Sequence, residues 1–379
     1  MFEKLKNAAA DYGGKIRSVD CMIIGENVKI VITTLSNTFE AVLYVNGNAY
    51  PDAFNAEEPF DRRTHVFYVP AGQLSADTKL RMEVKAVKRV NIVFHYDFLF
   101  GTPVYPTEKE LAAKYDNGLH ILYEEQETLC GGVEYFHKVY NDKKGRAVHV
   151  FYTVTDPEKA SLYVGTPADG YESVGVQATI PDMIAAAEAN GKNIISAVNA
   201  DFFDMFGDHH PSGLCMKNGR VVANAESPRP FIALLKNGSH IISDNSETPL
   251  ITTTAVHAAA GMQMIVKDGK INDFAPLEPF GYTRHPRTAA GVRADGSLIL
   301  AVVDGRIPDY SNGASLVDLA KLMISYGAER ALNMDGGGSS AMYTKKDGEF
   351  LLRSRPADLF RPNAMLIRKD YNSLLIEKK

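Results

Sequence analysis

The dipeptides Asn46-Gly47, Asn218-Gly219, Asn237-Gly238, Asp268-Gly269 and Asp295-Gly296 each sit between short apolar runs, and this constrains the fold more than any other feature of the chain. Asn-Gly and Asp-Gly supply the positive backbone angles of tight turns, so each sends a strand back alongside its neighbour. Antiparallel sheet is therefore expected to dominate. No apolar run reaches the ~18 residues of a membrane helix, and the stretch Met1–Asp20 lacks the apolar core of a secretory signal. As it stands the sequence predicts a cytoplasmic protein, or a secreted or cell-surface one if a leader has been trimmed.

In the first hundred residues, six β-type segments (Val19–Ile24, Val28–Leu35, Phe39–Val45, His65–Val69, Lys79–Val87 and Asn91–Phe98) alternate with turns. They predict a small all-β sandwich over residues 1–100. Gly101, Pro103 and Pro106, followed by a short helical pattern over Glu108–Tyr115, mark residues 101–117 as a linker. Residues 118–379 are expected to form an α+β domain of mixed, mainly antiparallel sheet with a few helices. One helix is expected over Asp182–Asn190, behind Thr179 and Pro181 and stopped by Gly191. Another is expected over Leu316–Tyr326, where Ser315 and Asp318 have the spacing of a capping box and Gly327 is the stop. Each helix leads into an apolar strand with a polar tip: Ile194–Val198 runs into Asn199-Ala-Asp201-Phe-Phe-Asp204, and Ala331–Met334 into Asp335-Gly-Gly-Gly-Ser-Ser340. Polar residues at the ends of buried strands sit on rigid supports, which is how a site is usually mounted.

With 379 residues, of which 45% are hydrophobic, the chain can form its own cores without staples, and its net charge of −5 argues against a nucleic-acid or anionic-membrane partner. Cys21, Cys130 and Cys215 are far apart and odd in number, so they read as buried or free thiols. Asp204, Asp208, His209 and His210 resemble a metal-ligand set in composition only, because adjacent histidines on a strand point apart.

Three consecutive glycines after Asp335 allow main-chain N–H groups to approach an anion or a sugar oxygen; a plain turn is the alternative. Arg287 and Arg306 stand at opposite ends of the Asp295-Gly296 hairpin and could grip a phosphate, as arginines do, with paired hydrogen bonds. Ordinary surface ion pairs would explain them equally well. Arg353, Arg355 and Arg361 crowd another loop before the expected strand Ala364–Ile367. No serine nucleophile elbow, dinucleotide fingerprint, P-loop or zinc spacing is present.

Taken in order, Asn199-Ala-Asp-Phe-Phe203, Pro286-Arg-Thr-Ala289, Asp304-Gly-Arg306, Leu332-Asn-Met-Asp-Gly-Gly-Gly-Ser-Ser340 and Arg361-Pro-Asn-Ala-Met-Leu366 resemble the phosphodiester glycosidase family, over roughly Gly132–Arg368. The family pattern usually has glycine or alanine where Asp201 stands. The resemblance implies hydrolysis of a sugar-1-phosphodiester, such as an N-acetylglucosamine-1-phospho linkage, to free sugar and a phosphomonoester. It also suggests a bacterial, exopolysaccharide-related setting. Asp335 is the expected activating or charge-stabilising carboxylate, with Asp304 as its rival. Arg287 and Arg306 would hold the phosphate. Asn199, Asp201, Thr288, Gly336, Gly337, Ser339, Arg361 and Asn363 complete the expected substrate contacts. The sequence makes no cofactor certain, and a calcium or magnesium ion is left open. Two other readings stay open as well: a non-catalytic carbohydrate-binding protein, and a metal-dependent phosphodiesterase that would release sugar-1-phosphate. Protein partners are unknown from sequence.

Overall fold

The computed structural model describes residues 16–24, 26–35, 40–58, 62–74, 78–87, 90–100, 116–205, 207–224, 229–243, 248–272, 283–357 and 367–379. The helical pattern over Glu108–Tyr115 and most of the expected strand Ala364–Ile367 lie outside them. Contacts divide the chain into two units, Met1–Ala113 and Lys114–Lys379.

The first unit has two four-stranded sheets. One runs Ile16–Ile24, Asn27–Leu35, Arg62–Pro70, Phe54–Glu58, and the other Asn48–Pro51, Glu40–Val45, Thr78–Val87, Val90–Phe100. Alternate residues Val28, Ile30, Ile32, Phe67 and Val69 of the first sheet pack on Ala41, Leu43, Val45, Leu80 and Met82 of the second, the period-two pattern of a sheet with one buried face. Two strands escape the sequence pattern, Asn48–Pro51 and Phe54–Glu58. Each is a short edge strand, and edges tolerate Pro, Asn and Glu where a central strand would not.

In the second unit every strand pairing among the described residues is antiparallel. An eight-stranded sheet runs Lys270–Ile271, Gln263–Lys267, Ala328–Asn333, Arg287–Arg293, Leu298–Val303, Ala147–Thr155, Val133–Asn141, His120–Thr128. A five-stranded sheet runs Ala160–Gly165, Ser373–Lys378, Ile194–Asn199, Met342–Lys346, Glu349–Leu352, and a second five-stranded sheet joins Arg220–Ala223, Cys215–Lys217, Ala255–Ala260, Phe231–Leu235 and His240–Ser243. Side chains from all three, such as Leu300, Val302, Ile195, Leu374, Ile376, Cys215 and Ile232, share one core. Each such apolar side chain, fully buried, contributes about 1.5–3 kcal/mol. Of the described cysteines, Cys215 is buried and Cys130 exposed, both free.

The helices cover the outer faces. Helix α1 (Ile180–Ala189) is closed by a Thr179–Asp182 capping box and lays Ile180, Ile184 and Ala187 on the five-stranded sheet that holds Ile194–Asn199. Helix α2 (Thr248–Thr254), absent from the sequence reading, is a short threonine-rich turn of helix. Helix α3 (Leu316–Ser325) has the Ser315–Asp318 capping box and packs Leu316, Leu319, Ala320 and Met323 on the eight-stranded sheet. Among the described residues no helix is long and apolar enough to cross a membrane. The unit is thus α+β and sheet-dominated. At Asn46-Gly47, Asn218-Gly219 and Asp268-Gly269 both residues take positive φ; at Asn237-Gly238 and Asp295-Gly296 only the glycine does.

Register gathers the polar tips. Asn333 lies opposite Ala289, and Arg287 opposite Val303, so Asp335, Arg287 and the Asp304–Arg306 turn emerge from one end of the eight-stranded sheet. In the five-stranded sheet Asn199 pairs with Ser373 and Val198 with Met342, which brings Asp201, Ser339, Ser340 and Asp370 to a common end.

Candidate active site

Asn199 joins the two ends. Its side-chain amide donates to the Asp335 carbonyl at 2.7 Å, while its Oδ1 accepts from the Thr288 hydroxyl at 2.7 Å and from the Ala341 N–H at 3.4 Å. Thr288 also lies 3.2 Å from the Ser340 hydroxyl. Both Asn199 and Thr288 are fully buried. Expected as substrate contacts, they are instead the clip that fixes the loop carrying Asp335, because a buried polar group engaged with the main chain is held there by the cost of leaving its partner unsatisfied.

Asp335 itself is partly buried. Its N–H reaches the Ala200 carbonyl at 2.9 Å, and its Oδ1 accepts from the Gly336 N–H at 2.8 Å. Burial pushes its carboxyl above the usual range, while the Ser339 hydroxyl, Arg368, the Gly336 N–H and Arg306 pull the other way. Opposite charges that favour ionisation thus offset part of what a low dielectric imposes.

The glycine run serves the protein's own atoms. A Cβ on Gly336 would lie 2.9 Å from the Pro286 carbonyl oxygen, and one on Gly337, whose φ is +62°, would lie 2.9 and 3.0 Å from Arg306 Nη2 and Nη1. The Gly336 amide is engaged by Asp335, and the Gly337 amide donates to Pro286 at 2.9 Å. These amides were expected to meet a ligand; the structure gives them to the loop and uses Gly337 to let the Arg306 guanidinium sit over the backbone.

Arg306, itself at a positive φ of 61°, is partly exposed and points Nη2 at His285 Nδ1, 3.4 Å away. Burial, with Arg287 and Arg306 adding to it, drops His285 to about 3, so the ring is neutral and can accept. Arg287 does not share the exposed position. It is 5% exposed, and its Nε and Nη2 donate to the Ala314 and Thr283 carbonyls at 3.1 and 3.0 Å. Burial and the Arg306 charge lower it to about 9, against Asp318. The second arginine acting on Asp335 is Arg368, which also lies 3.4 Å from the Ser339 hydroxyl.

Asp304 stands in separate surroundings. Its Oδ2 accepts from the Tyr310 hydroxyl at 2.9 Å and the Arg355 N–H at 2.8 Å, and Tyr310 stacks on His149 with ring centroids 4.1 Å apart. Burial pushes Asp304 up to about 7, and the charged neighbour opposing this is Arg355 rather than Arg306 or Arg368. Asp201 is 1% exposed and accepts from the Gly213 N–H at 2.9 Å. Burial raises it well above the normal range, Arg229 and main-chain N–H groups oppose this, and the Asp335 charge adds to it. Ser339 is 2% exposed, and its hydroxyl favours the ionised form of both Asp335 and Asp370, against the burial that raises each. Arg361 and Asn363 lie outside the described residues.

Asp370, Arg368 and Arg229 were missed in sequence. Asp370 follows the last recognisable motif without one of its own; the signal available was a lone acid just ahead of the apolar strand Ser373–Lys378. Among the described residues no three His, Cys, Asp or Glu side chains converge on one metal position, so Asp201, Asp335 and Asp370 do not fit a resident cation, and neither do Asp204, Asp208, His209 and His210.

Residues 192–368 match the family model described as phosphodiester glycosidase. The SPbeta prophage-derived uncharacterized protein YomE of Bacillus subtilis is 29% identical over 175 residues, 43% of this chain and 26% of that protein. This chain therefore spans only a minor part of YomE. The catalytic domain of zebrafish N-acetylglucosamine-1-phosphodiester alpha-N-acetylglucosaminidase, described as auto-inhibited by its pro-peptide, matches with a TM-score of 0.53 and 20% identity, over 68% of this chain and 89% of that one. A hypothetical protein from Synechocystis matches with a TM-score of 0.51 and 13% identity, over 96% of this chain and 76% of that one. The two structures show a shared fold, and the family seen in the motifs is the one whose model matches.

Proposed function

We propose that residues 192–368, as a phosphodiester glycosidase domain, hydrolyse a sugar-1-phosphodiester between the anomeric carbon and the phosphate oxygen. The observation that carries this reading is Asp335 at a strand end, its main-chain carbonyl held by Asn199 and its carboxyl acted on by the charges of Arg368 and Arg306. Two guanidinium groups suit the single negative charge of a phosphodiester and the added charge of its monoester product. With the phosphate against them, the anomeric carbon can sit beside Asp335, which takes a proton from the attacking water and stabilises the positive charge developing on the sugar ring. A phosphate monoester leaves far more readily than a sugar alkoxide, so charge stabilisation carries most of the work. Arg287 supports the site by bracing the loops at Thr283 and Ala314.

The test is hydrolysis of an N-acetylglucosamine-1-phosphodiester in oxygen-18 water. Label in the free sugar is expected; label in the phosphate, with sugar-1-phosphate as product, would give the site to phosphodiesterase chemistry, and retention of the intact diester would leave a binding protein. Asp335→Asn keeps the shape and removes the charge. Turnover should fall by about 100-fold or more with little change in melting temperature.

A further inference from the structure

Met205 stands on the turn between Phe203 and Pro211, which pair with each other as an isolated bridge. The turn is braced by its own main chain. The Asp204 N–H donates to the His210 carbonyl at 3.0 Å, the Gly207 N–H to Asp204 Oδ1 at 3.0 Å, and the Gly175 N–H to the Asp208 carbonyl at 2.6 Å. Phe203 anchors it in the core. Met205 is thus held out to solvent, with 37% of its surface exposed. Among the methionines whose burial is described it is the exposed one; Met262 is partly buried and the rest are buried.

The sulfur of Met205 accepts from Nη1 of Arg368 at 3.5 Å. The same nitrogen lies 3.4 Å from the Ser339 hydroxyl oxygen, so one guanidinium group links the Met205 turn to the loop that follows Asp335. A thioether is a weak acceptor and competes poorly with an oxygen anion for a guanidinium. Oxidation replaces it with a polar sulfoxide, whose oxygen sits one bond from the sulfur and within reach of the same nitrogen.

We propose that Met205 is an oxidation site through which peroxide weakens the hold of Arg368 on phosphate. This rests on the reading above that gives Arg368 to the phosphate, and adds a control on it. The sulfur lone pair takes one oxygen of hydrogen peroxide as the oxygen–oxygen bond breaks. The bonding pair leaves on the other oxygen, which gains the proton of the transferred one and departs as water. Sulfur is oxidised and the peroxide reduced. The sulfoxide oxygen then accepts a charged hydrogen bond from Arg368 and draws Nη1 away from Ser339 and the phosphate. A sulfoxide reductase supplied with thiol removes the oxygen and restores the thioether.

The modification can be followed without turnover. In protein labelled with carbon-13 at the methionine methyls, the NMR resonance missing from Met205→Leu should convert to its sulfoxide position under dilute hydrogen peroxide ahead of those of Met183, Met216 and Met342. Arg368→Ala should move that sulfoxide resonance by more than it moves the thioether resonance, since the oxygen has lost its donor. Calorimetric titration with inorganic phosphate should show affinity lowered roughly 10-fold or more by oxidation, at constant melting temperature, and restored by the reductase. Met205→Leu should keep its own phosphate affinity after peroxide. The proposal is overturned by a sulfoxide resonance that Arg368→Ala moves no more than the thioether, or by oxidation of Met205 no faster than of the buried methionines. It is overturned equally by phosphate that binds oxidised and untreated protein alike or binds neither, and by a loss of affinity that persists in Met205→Leu or follows a fall in melting temperature. If the phosphate results hold but no sugar-1-phosphodiester is hydrolysed, the hydrolase reading fails and the oxidation site stands.

Discussion

Replacing Gly337 with alanine tests the link between backbone and phosphate binding. The residue sits at φ +62°, and its new methyl would meet the Arg306 guanidinium at 2.9–3.0 Å. Holding an L-residue in the left-handed region costs roughly 1–2 kcal/mol, which for a domain of this size lowers the melting temperature by roughly 2–8 °C. The guanidinium is the far end of a flexible side chain, so it moves aside at little further cost to stability. Its displacement should remove the proposed charged hydrogen bond to the substrate, worth about 1.5–3 kcal/mol, or roughly a 10- to 150-fold drop in kcat/KM. The two effects separate in a double-mutant cycle. In an Arg306→Ala background, Gly337→Ala should still lower the melting temperature but leave kcat/KM where Arg306→Ala had put it. Differential scanning calorimetry and initial rates on a sugar-1-phosphodiester supply all eight numbers of the cycle. If Gly337→Ala reduces kcat/KM as much without Arg306 as with it, the glycine acts on something other than the arginine and the proposed phosphate contact loses its support.

Asp304→Asn should change how stability depends on pH. The folded group is pushed up to about 7 and an unfolded aspartate titrates near 3.9, so between these values the native state binds more protons and wild-type stability falls as pH rises. The Asn variant should lose that slope and gain on the order of a few kcal/mol at pH 8; urea titrations at pH 5 and pH 8 that show equal slopes in both proteins would contradict the burial of this carboxyl. Arg287→Lys should lower the melting temperature, since a carbonyl left without its donor costs about 1–3 kcal/mol, and should leave KM for the diester within a few-fold of wild type. A raised KM at unchanged melting temperature would put Arg287 back on the substrate.

The strands, turns and both capped helices were legible because they depend on local patterns: alternation in Val28–Ile32, Asn-Gly turns, and the Ser315–Asp318 spacing. The short edge strands and helix α2 were not, since Asn48–Pro51 and Thr248–Thr254 contain residues of poor propensity that tertiary contacts hold in place. At the candidate site, residue type and spacing point to Asp335 and Arg306, whereas the surroundings of each arginine could not be read from sequence. Arg287 and Arg306 look alike in sequence, and only register decides that one faces the Ala314 and Thr283 carbonyls and the other lies over Gly337. Asn199 and Thr288 carry polar groups suited to a sugar, yet they face each other across two sheets. Asp370 was invisible because the pairing of Asn199 with Ser373, between distant parts of the chain, is what brings it to the sheet end where Ser339 lies.

That same pairing has a consequence for synthesis. Strand Ser373–Lys378 lies between Ala160–Gly165 and Ile194–Asn199, so two strands made early share a partner that leaves the ribosome late. The first unit has all its described strands once Phe100 has emerged. The second must wait with two apolar strand edges open, each a template for pairing with another nascent chain. Chaperone demand during translation should therefore rise after residue 199 and fall only when Lys378 is clear of the exit tunnel, and a ribosome stalled in between would hold an adhesive intermediate whose first unit is already folded.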